Sequence, residues 1–221
     1  LVDENRILVR LGLERINAAP RPGLKALIEA AGLSDAALTA GNIGFQLAPR
    51  LNAGGRIGSA KRSYDLLAAT EPAEAATIAA ELEEENRTRR DVEEQIQLEA
   101  EAQLESFDFP AHRALVLAGK DWNPGVIGLT ASRLVEKYHY PTILLSERDG
   151  VLTGSCRSIP GVDIHAALTA VKHLLVKYGG HRQAAGLTLA ADHLDDFRTE
   201  LDAWLFQNIP SAAYVPEMEY D

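Results

Sequence analysis

The sequence holds 221 residues, 46% hydrophobic and 24% charged, a balance that excludes a disordered chain and allows one or two folded domains. No apolar run approaches the roughly 18 residues of a membrane-spanning helix. The single cysteine, Cys156, excludes an internal disulfide framework and suits a reducing cytoplasm. The net charge of −10 argues against a broadly basic nucleic-acid footprint. That charge is unevenly spread: between Glu71 and Asp108 there are 13 acidic and 3 basic residues, leaving 19 of each elsewhere. Composition therefore neither excludes nor favours a polyanionic substrate. Leu1–Arg10 lacks the basic-then-apolar order of a signal peptide, and with no start methionine the chain is expected to be cut from a longer protein.

In chain order, Pro22–Gly32 reads as a short helix carrying Leu24, Leu27 and Ile28. Gly41–Ile57 reads as loop-rich, with a buried Ile43–Phe45. Within and after it, Asn52, Ala53, Gly54 and Gly55 lie between Arg50 and Arg56, with Lys61 and Arg62 nearby. Small residues that let backbone N–H groups approach a ligand, beside fixed positive charge, suit a phosphate. A glycine turn with solvated arginines fits the same pattern.

From Pro72 to about Ser106 there is no glycine and no later proline, and strong helix formers dominate. Thr70 is the expected N-cap, with Glu71, Pro72 and Glu74 opening a helix of about 50 Å. Val92, Ile96, Ala100 and Leu104 form a narrow apolar stripe on an otherwise polar rod. Such a helix bridges two bodies more often than it fills one core. A coiled-coil arm is the competing reading, although the apolar positions do not hold a heptad.

Beyond the helix the pattern alternates between strand and helix. Ala114–Ala118 is expected as a strand, Val126–Tyr138 as a helix, and Thr142–Ser146 and Val151–Arg157 as neighbouring strands. Ile164–Tyr178 is expected as an amphipathic helix ended by Gly179-Gly180, followed by a strand at Ala184–Leu189 and a helix at His193–Phe206. This order implies an α/β domain with a mixed sheet. Ile209–Asp221 is expected to begin something new.

Three stretches in this part carry candidate chemistry. At Asp121–Gly128 a helix start is placed to expose N–H groups to an anion, with Trp122 stacking on a base or, as the favoured alternative, packing. In Gly154–Ser158, Ser155 and Arg157 lie two apart and share a face of a strand, where a hydroxyl beside a guanidinium can grip a terminal phosphate, although short Ser/Arg clusters are also common on loops. Cys156 points the other way and reads as a buried filler rather than a nucleophile. In Gly179–Gly186, His181 follows two glycines, placed to donate a hydrogen bond to phosphate or to serve only the turn. No HxxxH, HExxH, CxxC, Walker or GxSxG pattern is present, so any metal ligands are expected outside this sequence.

Taken in order, Asn52–Arg56, Trp122–Arg133, Gly154–Ser158 and Gly179–Gly186, with Asp3–Arg6 and Gly12-Leu13 at the start, resemble the RecJ family of DHH phosphoesterases. The resemblance covers residues 1–208. It implies the C-terminal part of a DHH catalytic domain (1–70), a long connecting helix (71–107), a mixed-sheet DHH-associated α/β domain (108–208), and the entry to an oligonucleotide-binding fold (209–221). It further implies a 5′→3′ single-stranded-DNA exonuclease of repair and recombination, using Mn²⁺ or Mg²⁺ bound outside this chain, so that the fragment alone is inactive. Single-strand-binding protein and a helicase are the implied partners besides DNA. By the same resemblance His181 faces the phosphate under attack. Ser155 and Arg157 grip the 5′-phosphate, Asn52 and Arg56 contact the backbone, and Gly179 and Gly180 line the substrate path. The alternatives are an oligoribonuclease or nucleotide phosphatase of the same superfamily, or a non-catalytic nucleic-acid-binding module.

Overall fold

The computed structural model describes residues 2–216, which fall into two compact units, Leu1–Asp91 and Val92–Asp221. The boundary lies within one long helix, so each unit owns part of it.

The first unit is helical: α1 (Asp3–Ala18), α2 (Pro22–Ala30), a short α3 (Ala40–Asn42), a π-helical turn (Ile43–Leu47), α4 (Ala48–Ile57), α5 (Ala60–Ala68) and the start of α6 (Pro72–Leu104). Leu27, Leu47, Leu66, Ala79 and Leu82 form its core. The region expected as loop, Gly41–Ile57, is instead nearly continuous helix. Thr39 caps it through a capping box with Asn42. Its paired Gly54 and Gly55 look like turn formers in sequence. Gly54 is buried within α4, and a Cβ there would sit 2.9 Å from the carbonyl oxygen of Ser59. Close helix packing explains that glycine. Phe45, expected to be buried, is 86% exposed.

The second unit continues with β1 (Leu115–Lys120), α7 (Ile127–Tyr138), β2 (Thr142–Arg148), β3 (Val151–Arg157), α8 (Ile164–Ala170), β4 (Leu175–His181), β5 (Ala184–Ala190) and α9 (Leu194–Asn208). The strands form one mixed sheet in the order β1-β2-β3-β5-β4, with β1 and β2 parallel and the other pairs antiparallel. One face buries Ile143, Leu145, Leu152, Cys156, Leu187 and Leu189 with Phe197 and Leu201 of α9 and Leu168 of α8. On the other face α7 lies over β2 and β3. The latter part of α6 runs with α7, joined by ion pairs Glu93–Arg133 and Glu101–Lys137, each 2.9 Å.

The helix expected over Ile164–Tyr178 stops at Ala170, and Gly179-Gly180 lie within a strand. The physical reason is a bulge. Register shifts between Leu175 and Lys177, so Leu175 and Tyr178 both turn toward the packed face, opposite Leu189 and Leu187. That spacing of three imitates the helical period. At the far end, Ile209, Ala213 and Tyr214 pack on the core of this same unit, and the Arg113 guanidinium lies 4.4 Å from the Phe206 ring centre and 4.9 Å from that of Tyr214. The remainder of the segment expected to open a new domain, 217–221, lies outside the described residues.

Candidate nucleic-acid interface

Arg157 on β3 pairs with Ala184 on β5, which pairs in turn with His181 on β4. Directly opposed residues in an antiparallel sheet point to the same face. Arg157 and His181 therefore stand in one row, on one face, two strand spacings or about 10 Å apart. Ser155 stands in the next row, opposite Gly186 and then Gly179.

The Arg157 guanidinium donates to Ser155 Oγ at 3.1 Å and to the carbonyl oxygen of Cys156 at 2.8 Å. Those contacts hold charge and hydroxyl side by side. Gly128, near the start of α7, comes so close that a Cβ there would lie 2.8 Å from Ser155 Oγ and 2.9 Å from an Arg157 nitrogen. A side chain at 128 would displace the pair, so this glycine lets the helix wall abut it. Arginine beside a hydroxyl is a strong receptor for a terminal phosphate.

His181 ends β4 and is exposed, just before the two-residue turn Arg182–Gln183. The Gln183 N–H reaches His181 Nδ1 at 3.4 Å. With Nδ1 accepting, the neutral ring carries its proton on Nε2 and donates from there. The turn is tied down elsewhere: the N–H of Ser158 donates to the Gln183 carbonyl, and that of Ile164 to Arg182, both at 3.0 Å.

Gly179 and Gly180 differ. Gly180 has φ +148°, and a Cβ on it would collide with the Ala184 carbonyl oxygen, so the backbone itself requires glycine there. A Cβ on Gly179 would meet nothing within 4 Å.

Asn52 and Arg56 lie four apart on α4 and so share a helix face, opposite the buried Ala53 and Gly54. The positive patch expected around them is largely neutralised. Arg50 bonds Glu83 and the Gln46 carbonyl, Lys61 pairs with Asp65 at 2.7 Å, and Arg62 pairs with Glu81 and Glu85. The backbone N–H groups of 52–56 lie within a helix rather than an open anion loop.

Trp122 is buried and its indole donates to Glu99 at 2.7 Å, holding that carboxyl below its usual range. It packs and does not stack on a base. The helix start beside it is partly spent, because Gly125 N–H bonds the Asn123 side chain and Val126 and Ile127 bond the Asn123 carbonyl. Cys156 is fully buried, and burial pushes its thiol up to about 12, which makes it inert as a nucleophile.

Among the described residues no three His, Cys, Asp or Glu side chains gather as a metal-ligand set. Across β3, β5 and β4 the open sheet face presents a guanidinium, an imidazole, hydroxyls and an ammonium, with no carboxylate among those strands' described residues. That donor set fits anions and does not fit Mn²⁺ or Mg²⁺.

The sequence reading missed Lys177, Thr153 and Thr188, which stand on the same face. Lys177, Gly179 and His181 alternate with period two, a signal masked by the helix-like spacing of Leu175 and Tyr178.

Residues 111–207 match the DHHA1 domain family. The chain is 38% identical over 223 residues to the single-stranded-DNA-specific exonuclease RecJ of Bacillus subtilis (strain 168), covering 100% of this chain and 28% of that protein. It is 40% identical over 203 residues to RecJ of Dickeya dadantii (strain 3937), covering 88% and 35%. The chain thus spans about a third of the length of such relatives. The crystal structure of RecJ from Thermus thermophilus in complex with Mg²⁺ superposes with a TM-score of 0.80 at 33% identity, over 92% of this chain and 31% of that one. The corresponding Mn²⁺ complex gives 0.80 at 34%, over 92% and 30%. With the mixed sheet, the ordered motifs and these likenesses in agreement, the chain belongs to the RecJ family and carries its DHHA1 domain.

Proposed function

We propose that this chain is the substrate-gripping part of a single-stranded-DNA-specific exonuclease that works 5′→3′ in repair and recombination. The supporting observation is the row of Arg157 and His181 with Ser155 beside it, all on one open sheet face. Arg157 and Ser155 take the 5′-terminal phosphate. His181 donates from Nε2 to an oxygen of the next phosphate, the one under attack, about one nucleotide away. Fixing the 5′ end by its charge sets the direction of degradation.

Residues 1–70 are assigned to the catalytic domain, 71–107 to the connecting helix, 108–208 to the DHH-associated domain and 209–221 to the entry of an oligonucleotide-binding fold. Asn52 and Arg56 are assigned to DNA-backbone contacts. Hydrolysis by Mn²⁺ or Mg²⁺ is assigned to residues outside this chain, since the groups described here do not fit a metal. The cytoplasm, and single-strand-binding protein and a helicase as partners, complete the reading.

End-labelled substrates test it. The full-length protein with Mn²⁺ should release a 5′ label as a mononucleotide from a long single strand and leave a blunt duplex intact. Preference for dinucleotides over long strands would instead make it an oligoribonuclease-like enzyme. This chain alone should release nothing; metal-dependent release by the pure chain would contradict the assignment of hydrolysis elsewhere.

A further inference from the structure

One row beyond the glycines, on the same open face, Thr153 on β3, Thr188 on β5 and Lys177 on β4 stand opposite one another. With Gly154, Tyr178, Gly179, Gly186 and Leu187 they line a groove of about 350 Å³. Volumes of this order hold small organic groups. The groove lies four residues, or about 13 Å, along the strands from the Arg157–His181 row, and the glycine row joins the two. Neither glycine of that row is demanded by the fold. A Cβ on Gly179 meets nothing within 4 Å, and one on Gly186 meets only the Gly154 carbonyl oxygen at an ordinary 3.6 Å. A strand loses stability by carrying glycine where another residue fits, so bare backbone here signals close approach by a ligand. Lys177 is exposed and forms no ion pair among the described residues.

We infer that this groove receives the 5′-terminal nucleoside of the strand, its ring lying on the Gly179–Gly186 floor and its edge meeting the Lys177 ammonium and the hydroxyls of Thr153 and Thr188. The inference rests on the reading above. With one phosphate at Arg157 and the next at His181, the nucleoside between them must leave the row. Toward the β4–β5 turn the sheet ends, whereas the other way lie the floor and the groove. The groove offers donors, so base acceptors such as guanine O6 and N7 or thymine O4 are the complementary edge.

The test fills the floor and then empties the ligand. Full-length Gly179→Val enzyme is assayed in single turnovers on 5′-phosphorylated single strands whose first residue is either a normal nucleotide or an abasic deoxyribose analogue. The variant should remove the normal nucleotide about tenfold or more slowly than wild type, yet handle the abasic residue within about threefold, because the space lost is the space the base needed. Thermal melting should show the fold intact. Equal slowing on both substrates, or none on either, overturns the groove assignment. Lys177→Met provides a second arm that leaves the floor unchanged. It should reduce any wild-type preference for terminal G or T over A or C, and an unchanged preference counts against the inference. A 5′-hydroxyl arm separates the two levels: if wild type ignores the terminal phosphate, the gripping function itself fails. If it uses the phosphate and Gly179→Val has no selective effect, only the groove fails.

Discussion

Neighbouring residues of β3 and β5 point to opposite faces of one sheet, and the two faces differ in kind. Leu152, Cys156, Leu187 and Leu189 face α8 and α9 and are essentially dry. Thr153, Ser155, Arg157, Gly186 and Thr188 lie on the other face, joined by Lys177, Gly179 and His181 of β4, and α7 covers this face only over β2 and β3. On the packed face these side chains are accounted for by the apolar residues they pack against. On the open face Gly179 and Gly186 have no structural need to be glycine, and Lys177 and His181 are exposed rather than packed. A surface that the fold does not explain is where a ligand is expected.

Substitutions can sharpen that contrast. Phe197→Ala, at the centre of the packed face, should cost about 3–5 kcal/mol of unfolding free energy in urea titrations, since it removes a fully buried ring. A loss below about 1 kcal/mol would mean that α9 is not seated on the sheet as described. Gly180→Ala should destabilise by about 1–3 kcal/mol, because it forces a side chain onto a positive-φ position against the Ala184 carbonyl.

Cys156 supplies a pH dependence. Its thiol ionises near 9.0 when unfolded and is pushed up to about 12 by burial in the folded chain. Between those values the unfolded state gives up a proton that the folded state keeps. Stability should therefore be full below pH 9 and fall above it, by up to about 1.4 kcal/mol per pH unit. Cys156→Ala should flatten that slope, measured by denaturant unfolding from about pH 8 to about pH 10.5, the lower part of that window. Tyr214, also raised by burial, contributes equally to both proteins. Identical slopes would show that the thiol is not enclosed. The smallest effect is expected at Gly179→Ala, within about 0.5 kcal/mol of wild type or slightly stabilising. Its contrast with Gly180→Ala, one residue away, separates a glycine needed by the backbone from one that leaves room.

Much of this unit was legible in sequence. The run Val151–Arg157 alternates cleanly, so the strand and the shared face of Ser155 and Arg157 followed from period two alone. Cys156 as a buried filler followed from the same alternation. Two segments were misread for identifiable reasons. The β4 bulge places Leu175 and Tyr178 three apart on the packed face and so mimics a helix, which hid Lys177 and made Gly179-Gly180 look like a helix stop. In α4, glycine imitates a turn signal, although Gly54 serves the close approach of Ser59 and of the Glu85 side chain on α6. Packing of that kind is set by residues distant in sequence. The alignment of Arg157 with His181 was illegible for the same reason, since it depends on the register of three strands rather than on either motif.

The most direct measurement is the ratio of cleavage rates on 5′-phosphorylated and 5′-hydroxyl single strands, taken for the full-length enzyme and for Arg157→Ala. The wild-type enzyme should favour the phosphorylated end, and the variant should lose most of that preference, by about tenfold or more, as expected for removal of a charged partner of a phosphate. If Arg157→Ala slows both substrates by the same factor, Arg157 supports the structure of the sheet and does not hold the DNA end.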